Sequence, residues 1–214
     1  MKKQELRKLE VTTLSKLRQV IKKGEKKEAL TRLEELWAGT TRLRKGMVEW
    51  IDTLMMFISE KLGDEAVEEA LRAFSNRTIK TDFGKELGEP DAEERMKRRA
   101  YIYTCVHNVK VTVLEDEEKF TLSWPCDTGG KLIHGEVFGK TSRAYPWSNS
   151  QAGMAYYCAH CTTVYEIMSM EQFGFPNHIV IPPAGSSVLC THYFFKDPKN
   201  IPEKYYEMIG IEKK

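Results

Sequence analysis

Near residue 108 the spacing of apolar residues changes from helical to alternate, and no other feature of the chain constrains the fold as much. Upstream, Leu6, Leu9, Leu14, Leu17, Val20 and Ile21 recur at helical spacing among charged residues, which predicts an amphipathic helix over 4–23. Gly24 stops it, and Ala29, Leu30, Leu33, Leu36 and Trp37 form a second stripe. Thr40 or Thr41 is expected to cap a third helix through Met47, Trp50, Ile51, Leu54, Met55, Ile58 and Leu62, closed by Gly63. Asp64 is expected to cap a fourth over 65–74, and 76–90 reads as a loop. Asp91, with Glu94 three residues on, signs the start of a helix reaching about residue 104. Downstream, Val109, Val111 and Val113 alternate with polar residues, 115–118 turns the chain, and Phe120, Leu122 and Trp124 alternate again, as in a β-hairpin. Residues 132–147 read as irregular with one short strand. Two further apolar runs, 178–181 and 187–195, flank the turn Pro182-Pro183-Ala184-Gly185, and a last helical turn covers 203–209. The expected class is therefore α+β. A helical region over 1–88 precedes a cysteine-containing region over 89–214, where a cysteine-bearing helix packs on a small antiparallel sheet; the two can form one compact unit.

The function classes narrow further on charge. With 41% hydrophobic and 30% charged residues the chain reads as globular rather than disordered or fibrous. Its lysines and arginines are interleaved with Glu5, Glu10, Glu25, Glu28, Glu34 and Glu35, no groove-reading motif accompanies them, and the net charge is only +2. A solvated helix face explains them, and no nucleic-acid partner is expected. The apolar patch at 51–58 is broken by Asp52 and falls short of the ~20 residues a bilayer span needs. The charged opening residues 1–7 lead into no apolar run, so neither a signal peptide nor a membrane partner is expected. The expectation is a cytoplasmic protein, with the helical front available as a homodimer surface. In a reducing compartment the five cysteines serve as metal ligands, catalytic thiols or core residues rather than disulfides.

The chemistry concentrates at Tyr156-Tyr157-Cys158-Ala159-His160-Cys161, where Val164, Ile167 and Met168 follow at helical spacing. Residues i and i+3 share a helix face, so Cys158 and Cys161 point the same way. Cys126, after a strand tip, and Cys190, inside a strand where it shares a face with His192, are positioned to complete a set of four. One reading is a metal site of Cys126, Cys158, Cys161 and Cys190 holding zinc, or an iron–sulfur cluster, with His160, His134 or His192 able to replace a thiol. Another makes Cys158 or Cys161 a reactive thiol near a helix start, with His160 beside it and Glu166 as general base. Glu166 is otherwise an exposed carboxylate, and the cysteines are otherwise small buried hydrophobes. Tyr156, Tyr157, Trp124 and Trp147 are candidate pocket walls, and Cys105, near His107, is expected to be buried. The function expected is a metal- or thiolate-dependent hydrolase or lyase acting on a small molecule, with Cys158, His160 and Glu166 catalytic. The alternatives are a non-catalytic binding or sensor module with a structural zinc or iron–sulfur site, and a thiol–disulfide protein using Cys158 and Cys161.

Taken together, the segment from Gly63 to Arg72, the turn from Cys126 to Gly130, Pro146-Trp147-Ser148, the segment from Tyr156 to Cys161, and the Cys190 strand followed by Phe195-Lys196-Asp197-Pro198 resemble bacterial proteins grouped with the 2-amino-thiazoline-4-carboxylate hydrolase-like family. The late helix and cysteine-bearing strand also resemble the end of vinyl-4-reductase-type small-molecule-binding domains, and organomercurial lyases are a more distant likeness. These resemblances imply an α+β sheet domain with a pocket at the cysteines, and either hydrolysis of a sulfur or nitrogen heterocycle or ligand sensing.

Overall fold

A computed structural model describes residues 11–126, 138–183 and 189–213. Contacts divide the chain into two compact units, 1–49 and 50–214. In the first unit helix α1 (Thr13–Lys22) is capped by the Thr12 hydroxyl, which accepts from the Ser15 amide at 3.2 Å. Gly24, at φ 74°, lets the chain leave it. Helix α2 (Lys26–Leu62) then runs unbroken for 37 residues and ends in the second unit. The expected break at Thr40 is absent because the Thr40 hydroxyl bonds back to the Leu36 carbonyl at 2.9 Å, an intrahelical bond in place of a cap.

In the second unit α3 (Asp64–Ile79) follows Gly63, whose φ of 93° explains the glycine. The helix outruns its expected end, and a short α4 (Asp82–Glu86) occupies part of the region read as loop. The first turn of α4 lies so close to the end of α3 that a Cβ on Gly84 would fall 2.3 Å from Ile79 backbone atoms. Gly84→Ala is therefore expected to lower stability by about 1–3 kcal/mol or more, measured as a lower denaturant midpoint.

Helix α5 (Ala92–Tyr101) starts where the capping pattern placed it, with the Asp91 carboxylate accepting from the Glu93 and Glu94 amides. It passes directly into a π-helical turn (Ile102–Val106). Strands β1 (Thr112–Glu115) and β2 (Lys119–Pro125) form the expected hairpin. A short 3-10 turn (Pro146–Ser148) precedes the cysteine helix, which is α6 (Tyr156–Cys161), a second π-helical turn (Thr162–Ile167) and α7 (Met168–Phe173), ended by Gly174 at φ 81°. Strands β3 (Ile179–Ile181) and β4 (Leu189–Phe195) and helix α8 (Glu203–Met208) complete the unit.

The sheet is antiparallel with order β1-β2-β4-β3. Register pairs Trp124 with Cys190, Leu122 with His192 and Phe120 with Phe194, so these six buried side chains lie on one face. They pack with Ala92, Met96 and Tyr103 from the α5 side and Val164 and Tyr165 from the cysteine helix. The fold is thus the α+β arrangement expected from the period switch, with the cysteine helix and α5 against the sheet.

Candidate functional site

The two helices that cover the sheet also wall a cavity of about 230 Å³, the share of liquid taken by roughly eight water molecules. Both turn π-helical where they reach it: Ile102 and Tyr103 line it from one side, Thr162 and Tyr165 from the other. A π turn carries an extra residue and rotates the face that follows, a departure often found at functional positions. Trp124 and Cys126 from the end of β2, and Pro182, Pro183 and Cys190 from the β3 and β4 ends, close the remaining walls.

Cys126, Cys158, Cys161 and Cys190 all line this one cavity, so the sheet brings together thiols far apart in sequence. Among the described residues, no group of three or more His, Cys, Asp or Glu side chains converges closely enough to hold a metal ion. Burial dominates the thiols' acidity. It pushes Cys158 well above its ordinary value, helped by Cys126, Cys161 and Asp52, and it also raises Cys190. Cys161 is raised to about 11 by burial, against the opposing pull of the Arg99 guanidinium.

His160 faces Cys161 with its ring Nε2 3.5 Å from the sulfur, and its Nδ1 meets the Tyr157 carbonyl oxygen. A carbonyl only accepts, so Nδ1 carries the proton and Nε2 presents its lone pair to the thiol. Burial lowers the His160 pKa, which keeps the ring neutral and able to accept. The pair is a thiol beside an oriented base.

Arg99 supplies the positive charge of the cavity. Its Nη1 donates to the Tyr165 hydroxyl at 2.9 Å, and its guanidinium carbon lies 3.9 Å from the Tyr165 ring centroid. Burial opposes its charge, but Tyr165, Tyr103 and Cys161 outweigh burial and hold its pKa above the ordinary value. It is placed by Arg95, one turn earlier on the same face, which donates to the carbonyls of Glu89, Pro90, Asn177 and Phe195 and so ties α5 to the sheet.

Other expected residues sit elsewhere. Glu166 is buried rather than exposed, and its Oε1 accepts the Val180 amide at 2.8 Å while burial raises its pKa well above the carboxylate range. It is not among the cavity-lining residues. His192 lies behind Cys190, with Nε2 3.7 Å from that sulfur, and stacks on His178 at 4.2 Å. Tyr157 and Trp124 line the cavity, whereas Tyr156 and Trp147 belong to a separate core cluster. Cys105 is exposed, contrary to expectation, while His107 reaches the cavity wall. His134, and the part of the glycine turn after Cys126, lie outside the described residues. Arg99, Tyr103 and Tyr165 went unread in the sequence; an arginine at an inward position of an amphipathic helix was the available signal.

What the fold defines is an α+β protein with a thiol-lined cavity between its sheet and two helices. No family model, curated protein or solved structure matches the chain. Among the described residues no helix is long and apolar enough to cross a membrane.

Proposed function

We propose that the protein is a thiol-dependent enzyme acting on a small molecule, with Cys161 as nucleophile and His160 as its base. The observation that carries this reading is Nε2 of His160 lying 3.5 Å from the Cys161 sulfur inside a cavity, with Nδ1 of the same ring against the Tyr157 carbonyl oxygen. When Cys161 attacks a substrate acyl carbon, the thiol proton passes to Nε2 and the bond from that carbon to its leaving group breaks as the thioester forms. The leaving group departs with the proton held by His160, and water then cleaves the thioester to return the free thiol. Arg99 lowers the cost of the thiolate and favours negative charge developing on the substrate. Cys161 takes the part over Cys158 because Arg99 opposes the rise in its pKa, while burial, Cys126, Cys161 and Asp52 all raise that of Cys158. Reaction of the hydrolase or lyase type stays within this scheme.

Alkylation tests it. With iodoacetamide and peptide mass mapping, Cys161 is expected to react before Cys158 and Cys190, and His160→Gln to slow it by roughly tenfold or more. Exposed Cys105 serves as internal control, and its rate should not move. An unchanged Cys161 rate in the variant, or Cys158 reacting first, would refute the dyad. The second reading, a zinc or iron–sulfur site of Cys126, Cys158, Cys161 and Cys190, is favoured by all four thiols lining one cavity. Elemental analysis and a visible spectrum of the purified protein decide between the two.

A further inference from the structure

Independently of the cavity, we infer that the protein pairs with a second copy of itself along helix α2. On this helix Leu43, Met47, Trp50, Leu54 and Phe57 follow one another in alternating steps of four and three residues, the spacing of a coiled-coil seam. All five are exposed, from 47% at Leu54 to 66% at Leu43. Asp52, Met55 and Met56 point to the other side, where Asp52 accepts the Gly139 amide and both methionines join a core cluster. The row is therefore a second apolar face on a helix that already has a core face.

Its size fits a self-paired interface. Taking about 150–250 Å² for a large side chain, five that are half exposed present roughly 500 Å². A two-fold pair would bury roughly 1,000 Å² from these residues alone, where specific interfaces begin. A heptad seam also offers a copy of itself the same row of knobs and holes, so an isologous pair closes without any other surface.

Two glycines give a separate reason. Gly46 lies immediately before the seam residue Met47, and Gly39 lies seven residues earlier, both in the interior of the helix. A glycine there costs about 1 kcal/mol relative to alanine. A Cβ at either would meet no atom within 4 Å, so nothing in the described chain requires its absence. A second helix lying close against the seam does require it, because the distance between packed helices is set by the side chains at the contact.

Sedimentation equilibrium of the full chain is expected to return twice the 24.7 kDa chain mass. The double variant Trp50→Glu, Leu54→Glu should return the monomer mass with unchanged helical circular dichroism. Gly46→Leu is the sharper variant, since it favours the isolated helix yet places bulk in the seam, and its dimer dissociation constant should rise by roughly tenfold or more. A wild-type monomer at about 100 μM, whether the seam is bare or covered by another part of the chain, overturns the proposal. So does undiminished pairing of Gly46→Leu, which remains informative if the double variant fails to fold.

Discussion

Asp64→Ala is expected to destabilise the sheet-bearing unit by about 4 kcal/mol, since charged hydrogen bonds contribute about 1.5–3 kcal/mol each and do not add fully. The buried carboxylate receives the Ser59 and Tyr156 hydroxyls on Oδ1, each at 2.6 Å, and the Ser142 amide and hydroxyl on Oδ2 at 2.9 and 2.8 Å. It thereby joins the end of α2, the start of α3, the segment before the 3-10 turn and the first residue of the cysteine helix. Burial works to raise its pKa, but these four bonds outweigh burial and hold the carboxyl well below the usual range. Its contribution is therefore complete above the unfolded value near 4 and is lost as pH falls further. Urea unfolding of Asp64→Ala and wild type at pH 7 and pH 3 should show the gap between them narrowing in acid. A gap that stays constant would show that the carboxylate charge is not what Asp64 contributes.

Asp64 also illustrates which parts of the fold are legible in sequence. An aspartate before an apolar stripe reads as a helix cap, and α3 does begin there, but the side chain turns away to partners 78 and 92 residues distant. Local pattern located the helix; only tertiary packing assigned the carboxylate. The same division holds elsewhere. Alternation marked β2 and β4 and their inward faces because sheet burial has a strict period of two, whereas β1 begins at Thr112, three residues after the first alternating valine, and is exposed along its whole length. The break expected at Thr40 failed because a threonine hydroxyl serves a helix interior through its i−4 carbonyl as readily as it serves a cap.

At the cavity, spacing alone linked Cys158 with Cys161 but could not say which thiol has a base. That depends on the His160 ring orientation, fixed by the Tyr157 carbonyl, a backbone group without a sequence signature. Arg99 was hidden for a related reason. Charged residues on an amphipathic helix are read as solvent-facing, and Arg95 and Arg99 are buried only because backbone carbonyls and tyrosine rings receive them. The gathering of Cys126 and Cys190 at the same walls follows from the register pairing Trp124 with Cys190, which strand order determines and sequence order does not.

Acid is expected to weaken the fold through His178 and His192, and His192→Phe to remove part of that weakness. The two rings stack at 4.2 Å and are fully enclosed. Nδ1 of His178 donates to the Asn177 side-chain oxygen at 2.8 Å, which leaves its Nε2 without a hydrogen-bond partner among the described residues, as is Nδ1 of His192. A second proton on either ring would sit in the core without an acceptor. Burial, then the neighbouring ring and the guanidiniums of Arg99 and Arg95, push His178 well below its ordinary value; burial, Arg99 and His160 do the same to His192. Below about pH 6.5 the unfolded chain thus binds protons the folded chain refuses, and each histidine removes about 1.4 kcal/mol of stability per pH unit. Glu166 acts in the opposite sense: its raised pKa lets the folded chain hold a proton that the unfolded chain has released above about pH 4.5, so its penalty fades as pH falls. The wild-type slope is reduced accordingly, and the difference between proteins is the cleaner measurement. A phenylalanine at 192 keeps the stack on His178 and cannot be protonated. Between pH 6.5 and 5 the stability of His192→Phe relative to wild type should rise by about 2 kcal/mol. Stability curves that run parallel over that interval would show that His192 is protonated in the folded protein or exchanges its proton equally in both states.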